Sequence, residues 1–342
     1  MAEPLSSTST STSPTQPPEI RDFSHTLALQ TINENEFTTV HPPERMGNTA
    51  NIAYGGFALA LATKAASLSV PSTHHLYSIM GHYLGPALTD RPLHATVTRI
   101  RQTRTFATRQ VQVSQLQDDG TSRACLIALA DFQTKESASL LVYNAPPLQG
   151  PYTHYSELAC SEVQSRIFVD EGKIQPAVYE AWLESFSVMR RLYEVRPTPE
   201  GIFSQNLMGA AKHLPTSQSH LPITERTTSE WLHSRSVLES PHDQLASLAF
   251  TMDGSISFAP LAFNGMFLDD AGACSSLDFA MRVFVTEVKL EEWLLKEIRT
   301  HVGGEGRTFS EGRLWDEEGR CVASMTQQSI LRPGKGRGTV KL

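Results

Sequence analysis

Cysteine is scarce in this chain, and no two of its cysteines stand in a CxxC pair. The cysteines are Cys125, Cys160, Cys274 and Cys321. Their wide separation excludes a zinc ribbon and a disulfide framework, and it predicts reduced, buried thiols of an intracellular protein. His74 and His75 have no acidic or cysteine companion at ligand spacing, so we expect an exposed pair before a strand and no metal site.

Excess positive charge is also missing, since the formal net charge is −7. A chain of this sign has no general attraction for nucleic acid or an anionic membrane, which favours small-molecule partners. The longest apolar run, at 54–66, is too short for a membrane span and contains Lys64. Residues 1–20 are rich in Ser, Thr and Pro and lack the basic start and apolar core of a secretory signal, so we expect a disordered tail.

The sequence contains the same series of elements twice. An apolar helix, GGFALALATKAASL at 55–68, opens the first series, and a helix at 243–253, preceded by a strand at 229–235, opens the second. Strand-like runs follow at 75–86, 93–103, 105–116 and 123–133, and again at 276–285, 292–302, 307–315 and 320–331. The letters repeat as well, because RTFATRQVQV, DDG and RAC at 104–125 match RTFSEGRLW, DEEG and RC at 307–321. We interpret this as an internal duplication.

The duplication predicts an α+β chain with two similar halves, each a long apolar helix wrapped by a curved antiparallel sheet. The stretch YNAPPLQGP at 143–151 marks the boundary between them, and 175–195 has helical character before a polar loop to about 228. The predicted division is a tail (1–20), a first domain (21–145), a linker (146–185), a second domain (186–333) and a flexible basic tail (334–342). The GKGRG of the last tail lacks the strand and helix flanks of a phosphate-binding loop.

One acid, Asp253, ends the second predicted helix in apolar and small company. Apolar residues at i, i+3, i+4 and i+7 from Leu245 line one helix face, Asp253 lies on the shoulder of that face, and Gly254 is the expected helix stop. An acid near a helix C-terminus also faces the unfavourable end of the helix dipole. Periodicity alone leaves two interpretations open, a polar edge and a half-buried functional group.

A set of motifs occurs in a fixed order over about 50–333. The motifs are AYGGFALALATKAA (53–66), YSIMGHYLGP (77–86), RQTRTFATRQVQV (101–113), ALADFQ (128–133), LAFTMDGSISFAP (248–260), SSLDFAMRVF (275–284), EEWLL (291–295), EGRLWDEEGRCVAS (311–324) and TQQSILR (326–332). By these motifs the chain resembles the acyl-CoA thioesterase II family. The resemblance implies two hot dog folds fused in one chain, and a homo-oligomer.

The family resemblance implies hydrolysis of acyl-CoA thioesters to a carboxylic acid and CoA, with no cofactor. Family members hold the attacking water with an acid, a hydroxyl residue and a glutamine, which fall on Asp253, Ser276 and Gln327. Serine keeps the hydroxyl of the usual threonine, so the chemistry is expected to survive. General base help of this kind is worth about 10²–10⁴-fold and needs no acyl-enzyme. A GxSxG nucleophile elbow is absent, which argues against an α/β-hydrolase thioesterase.

Two glycines, Gly55 and Gly56, open the first helix. The unpaired amides of a helix N-terminus suit a developing oxyanion, so this pair is a candidate oxyanion and substrate-binding site. Tight packing of helix against sheet explains the same two glycines equally well.

Two departures from the family motifs leave the substrate open. LDFAMRVFVT at 277–286 stands where the family has a pattern like IDHSMWFHRP, with Phe279 for histidine, and YLGP at 83–86 stands for FLRP, with Gly85 for arginine. Two alternatives therefore remain beside acyl-CoA hydrolysis. One is a thioesterase that releases a polyketide-like acyl thioester in specialised metabolism, and the other is a non-catalytic acyl-CoA binding protein.

The last three residues, Val340-Lys341-Leu342, resemble the peroxisomal signal Ser-Lys-Leu, with valine in place of the small residue. Basic residues precede them. We expect the protein in the peroxisome or, failing import, in the cytoplasm.

Overall fold

A single sheet dominates the fold. In the computed structural model, which describes residues 22–48, 50–212 and 214–334, thirteen strands form one antiparallel sheet, accompanied by eight α-helices. The strands are β1 Leu29–Asn33, β2 Glu36–Thr39, β3 His74–Tyr83, β4 His94–Gln102, β5 Phe106–Leu116, β6 Ser122–Thr134, β7 Tyr193–Pro197, β8 Thr227–Ser234, β9 Ala271–Ser276, β10 Asp278–Val283, β11 Leu294–Gly304, β12 Arg307–Trp315 and β13 Cys321–Pro333. The helices are α1 Phe23–Thr26, α2 Gly55–Leu68, α3 Ser161–Asp170, α4 Pro176–Ser185, α5 Ser187–Leu192, α6 Ile202–Asn206, α7 Pro241–Asp253 and α8 Ala259–Phe263. The α+β class is confirmed.

The strand order shows that the two halves are built alike. It runs β1-β2-β4-β5-β6-β3 in the first half and continues β10-β13-β12-β11-β8-β7 in the second, while β9 also pairs with β13. Outward from the join, each strand on this path has a counterpart at the same place in the other half, and β9 is additional. The join is an antiparallel pair of β3 and β10, with Met80 opposite Ala280. The two halves are therefore joined edge to edge in one continuous sheet.

The two hairpins that carry the repeated letters close in the same way. Gly120, between β5 and β6, has a φ of +80°, and Gly319, between β12 and β13, has a φ of +74°. Glycine adopts this left-handed conformation without the strain that a Cβ would cause. The repeated letters DDG and DEEG thus form the turns of the two hairpins.

Helices α2 and α7 pack against each other in opposite directions. The hydroxyl of Tyr54, just before α2, donates to the carbonyl of Phe250, near the end of α7, at 2.7 Å. At the other end Lys64 Nζ lies 2.5 Å from Asp243 Oδ1. Nearly every residue of both helices is buried, because the partner helix covers one side and the curved sheet the rest. Helix α7 is therefore buried on more sides than its apolar stripe indicates.

The middle of the chain holds elements that the sequence analysis did not predict. Helix α3 lies in the segment 146–185, which was predicted as a linker, and β7 and α6 precede the strand predicted at 229–235. The helical character of 175–195 is confirmed by α4 and α5. The predicted domain boundaries stay a prediction. The tail 1–20 and residues 335–342, with the terminal Val340-Lys341-Leu342, lie outside the described residues.

Candidate active site

Asp253 is the last residue of α7 and is only 4% exposed. Gly254 ends the helix, as predicted, with an extended backbone. The interpretation of Asp253 as a polar surface edge is wrong, because α2 and the sheet enclose the end of α7. The antiparallel packing of the helices also places the positive N-terminus of α2 beside this carboxylate, and this offsets the unfavourable end of the α7 dipole.

The structure brings Asp253, Ser276 and Gln327 together in one hydrogen-bonded chain. Gln327 Nε2 donates to Asp253 Oδ1 at 2.5 Å, and Ser276 Oγ donates to Gln327 Oε1 at 3.3 Å. Gln327 lies on β13 and is fully buried, and Ser276 lies at the end of β9, which pairs with β13. The glutamine therefore links the hydroxyl to the acid across the sheet.

The first half of the chain contributes two tyrosines to the same carboxylate. The hydroxyl of Tyr83, the last residue of β3, donates to Asp253 Oδ1 at 3.0 Å. The hydroxyl of Tyr54 also lies close enough to Asp253 to interact with it, in addition to its bond to Phe250. Burial, and then the negative charge of Asp253, raise the pKa of both phenols, so they are protonated donors at neutral pH.

Burial raises the pKa of Asp253 above that of an ordinary aspartate. Several groups act in the opposite direction and favour the carboxylate form. In order of size these are the hydrogen bonds from Tyr83 and Gln327, the charge of Lys296 and the hydrogen bond from Tyr54. Desolvation outweighs them together, and the result is a carboxylate with more proton affinity than one in water.

Lys296 supports the end of α7 from β11. It is 1% exposed, and its Nζ donates to the carbonyls of Thr251 and Gly254 at 2.7 Å each. Burial lowers its pKa, while the charges of Glu230, its partner across the strands, and Asp253 raise it. The ammonium thus satisfies carbonyls that the helix end leaves unpaired.

The two glycines of the candidate oxyanion site have different surroundings. A Cβ on Gly55 would lie 3.3 Å from Asp253 Oδ2 and 3.1 Å from Tyr83 Cε1, whereas a Cβ on Gly56 would collide with the Tyr54 ring. Among the described residues, no hydrogen-bond acceptor is recorded for the amides of either glycine. Packing against Tyr54 thus excludes a side chain at Gly56, whereas Gly55 faces the carboxylate.

A cavity of about 430 Å³ opens at this point. Asp253, Ser276 and Gly55 line it together with Tyr83, and Gln327 lies behind them. Phe186, Met46 and Ser255 separate it from a smaller, mainly apolar cavity of about 60 Å³ beneath α3 to α6. The predicted site residues thus lie at the wall of a space that can take a ligand.

Other predicted features differ from expectation. His74 is not exposed but 9% accessible at the first position of β3, because the pair begins the strand rather than preceding it. Of the four free cysteines only Cys125 is fully buried. In the part of the chain that the structure describes, no group of three or more acids, histidines or cysteines is arranged to hold a metal. None of the described helices has the length and apolar character needed to cross a bilayer.

Sequence reasoning missed Tyr83, Tyr54 and Lys296. A signal for Tyr83 was present, because YLGP replaces FLRP and thus adds a hydroxyl at its first position. Lys296 shares its strand face with Leu294 and Ile298 in the stretch LLKEI, which indicates a buried cation. Tyr54 carried no signal of its own.

Two models of one protein family match the chain. The acyl-CoA thioesterase N-terminal domain matches residues 42–133, and the acyl-CoA thioesterase C-terminal domain matches residues 187–331. Together they cover more than half of the chain, in the order in which the two halves occur.

Several solved structures share the fold over almost their whole length. The tesB protein of Mycobacterium avium subs paratuberculosis is 17% identical, with a TM-score of 0.65, over 91% of this chain and 98% of its own. Acyl-CoA thioesterase II TesB2 from Mycobacterium marinum is 20% identical, with a TM-score of 0.64, over 92% and 100%. A hot dog protein from Alicyclobacillus acidocaldarius is 16% identical, with a TM-score of 0.60, over 91% and 98%. The predicted fold of two fused hot dog domains is confirmed.

Proposed function

The chain belongs to the acyl-CoA thioesterase family, and on that premise we propose that it hydrolyses acyl-CoA thioesters with a water activated by Asp253, Ser276 and Gln327. That it is a thioester hydrolase follows from the family. The assignment of residues is supported by the hydrogen-bonded chain from Ser276 through Gln327 to Asp253 at the wall of the large cavity.

The reaction needs one proton transfer in each direction. Asp253 takes a proton as the water oxygen bonds to the thioester carbonyl carbon, and the protonated acid then gives a proton to the departing thiolate as the C–S bond breaks. The products are a carboxylic acid and CoA. The raised pKa of Asp253 suits both steps, because a carboxylate with greater proton affinity is a better base and is regenerated by the more basic thiolate.

Ser276 is oriented to serve the attacking water. Because its hydroxyl donates to Gln327 Oε1, its oxygen lone pairs are available to accept from a water in the cavity. Gln327 uses its amide to hold Asp253 and its carbonyl to hold Ser276, so it fixes the distance between the two. Such positioning lowers the entropy that the water must lose in the transition state.

The oxyanion is proposed to form at the start of α2. The amides of Gly55 and Gly56 open this helix, and the side of Gly55 toward Asp253 is free of a side chain. A preorganised donor of this kind is typically worth about 10²–10³-fold in rate. The water and the carbonyl oxygen would thus lie between the end of α7 and the start of α2.

The proposal is tested by measuring how fast the Asp253→Asn variant releases free thiol from acyl-CoA. We expect turnover of acyl-CoA to fall by at least about 100-fold, because asparagine cannot accept the proton. Asp119→Asn, in the exposed turn between β5 and β6, makes the same change of charge away from the site and should retain activity. Turnover retained by Asp253→Asn would show the assignment to be wrong.

One observation bears on carrier-bound or polyketide-like thioesters. The described residues that line the large cavity include no lysine or arginine, which the phosphates of CoA favour. The assay should therefore compare an acyl-CoA with the same acyl group on N-acetylcysteamine. Equal kcat/KM for the two would favour a substrate recognised without its nucleotide, whereas binding of both without thiol release would favour a non-catalytic protein.

A further inference from the structure

The two oxygens of the Asp253 carboxylate have different surroundings. Oδ1 accepts from two donors, the Tyr83 hydroxyl at 3.0 Å and Gln327 Nε2 at 2.5 Å. Oδ2 lies on the side of Gly55, where a Cβ would come within 3.3 Å of it. The donors reach Oδ1 from β3 of the first half and β13 of the second, so each half of the chain supplies one of them.

We propose that Tyr83 is a positioning residue that, with Gln327, fixes Oδ1 and so presents Oδ2 to the attacking water. This inference rests on the proposed function of Asp253. Tyr83 is then a fourth side chain beside Asp253, Ser276 and Gln327. The first half of the chain would thus orient a base that the second half supplies.

The position of the Tyr83 ring is itself fixed. Its ring centroid lies 5.5 Å from that of Phe279, which is 2% exposed, in a tilted arrangement. Its Cε1 edge fits against Gly55, where a Cβ would lie 3.1 Å away. A ring held on two sides in this way can direct its hydroxyl with little loss of side-chain entropy.

Charged and titratable groups approach Asp253 from each element packed around it. Tyr54 lies before α2 and Tyr83 on β3, while Lys296 lies on β11 with Glu230 beside it on β8. Among the groups that favour the ionised carboxylate, the Tyr83 hydrogen bond is the largest and Tyr54 the smallest. Loss of the Tyr83 hydroxyl therefore raises the pKa of Asp253 further, while the other groups stay in place.

The experiment is a pH profile of kcat/KM for wild type, Tyr83→Phe and Tyr77→Phe, with Asp253→Asn measured beside them. Tyr77 lies on the same strand, away from the site, and is 36% exposed. Tyr77→Phe therefore removes the same phenolic oxygen without touching Asp253. Tyr83→Phe is expected to lose about tenfold to a hundredfold in kcat, as for a hydrogen bond to a charged group, with KM little changed. Its acidic limb should move to higher pH, and Tyr77→Phe should match wild type.

The outcomes separate this inference from the proposed function. If Asp253→Asn keeps its turnover, the proposed function itself is wrong. If Asp253→Asn is inactive but the acidic limb of Tyr83→Phe coincides with that of Tyr77→Phe, Asp253 is the base and Tyr83 does not position it. Should Tyr83→Phe unfold at assay temperature, 3-fluorotyrosine at position 83 gives the same test, because its stronger donor should move the acidic limb to lower pH.

Discussion

The space beside Gly55 gives the sharpest test of the site. In Gly55→Ala the new methyl would lie 3.3 Å from Asp253 Oδ2 and 3.1 Å from Tyr83 Cε1. Both contacts are tighter than an ordinary Cβ contact, so the Tyr83 ring must yield by a few tenths of an ångström. Alanine is the better helix former, and because the two effects oppose each other the free energy of unfolding should change by less than about 1 kcal/mol. The methyl would nevertheless occupy the side of the carboxylate from which water approaches in the proposed mechanism.

The expected result is a loss of activity without a loss of stability. Displacing the water removes general base help, so kcat should fall by about 10²-fold or more. Gly56→Ala is the matched variant. Its Cβ would collide with the Tyr54 ring and force that ring from its bond to Phe250, so the free energy of unfolding should fall by about 1–3 kcal/mol.

Thiol release and urea unfolding, measured on both variants, distinguish the two effects. Wild-type kcat in Gly55→Ala would refute the approach of water from the Gly55 side. An unfolding free energy in Gly56→Ala equal to wild type would refute the packing argument for the second glycine.

Three further predictions follow from the same contacts. The folded pKa of Asp253 is raised, so the folded state binds the proton more tightly than the unfolded state, and stability falls as pH rises through that pKa. Asp253→Asn, which resembles the protonated acid, should therefore gain stability relative to wild type as pH rises, and thermal unfolding of both proteins over a pH series should show the difference widening with pH. Ser276→Thr should keep most of the activity, whereas Ser276→Ala should lose about tenfold or more in kcat. Equal kcat values for the two variants would show that the hydroxyl has no role in the reaction. Lys64→Met leaves the buried Asp243 carboxylate without its cation, so the free energy of unfolding measured in urea should fall by about 3–5 kcal/mol. The double variant Lys64→Met/Asp243→Leu should recover most of this loss. An unchanged unfolding free energy in Lys64→Met would contradict the argument.

Much of the fold could be predicted from local patterns because its main helices and strands have strong periodicity. The bounds of α2 agree with the predicted helix at both ends, and the strands of the two repeated hairpins lie within two residues of the prediction. The short helices α3 and α6 were not predicted, since their sequences are mixed in character and their burial depends on contacts with distant segments.

The candidate site was predictable only in part. Asp253 and Gln327 lie 74 residues apart, and it was the resemblance to a family that joined them, not their spacing. Tyr83 could not be joined to Asp253 by periodicity, because the contact depends on the pairing of β3 with β10 across the two halves. No local pattern encodes which strand edges meet.

The duplication does not repeat the serine and the glutamine of the candidate site. The two halves can be aligned on the register shifts near their hairpin turns, at Val113/Ser114 and Leu314/Trp315. In this alignment Ala130 occupies the position of Gln327. Carried along the paired strands, the same alignment places Leu76 at the position of Ser276. Both counterparts are apolar and buried, so the first half cannot build a second site of this kind.

What the first half supplies instead is the other wall of the same site. Gly55 gives the free space beside the carboxylate, and Tyr83 gives the donor to Oδ1, while the second half supplies the acid, the serine and the glutamine. Because α2 and α7 run antiparallel, the C-terminus of α7 meets the N-terminus of α2 at one end of the helix pair. Polar residues surround this meeting point. The other end is closed by the Lys64 and Asp243 ion pair. The candidate site therefore depends on both halves, and neither half alone holds the complete set of groups.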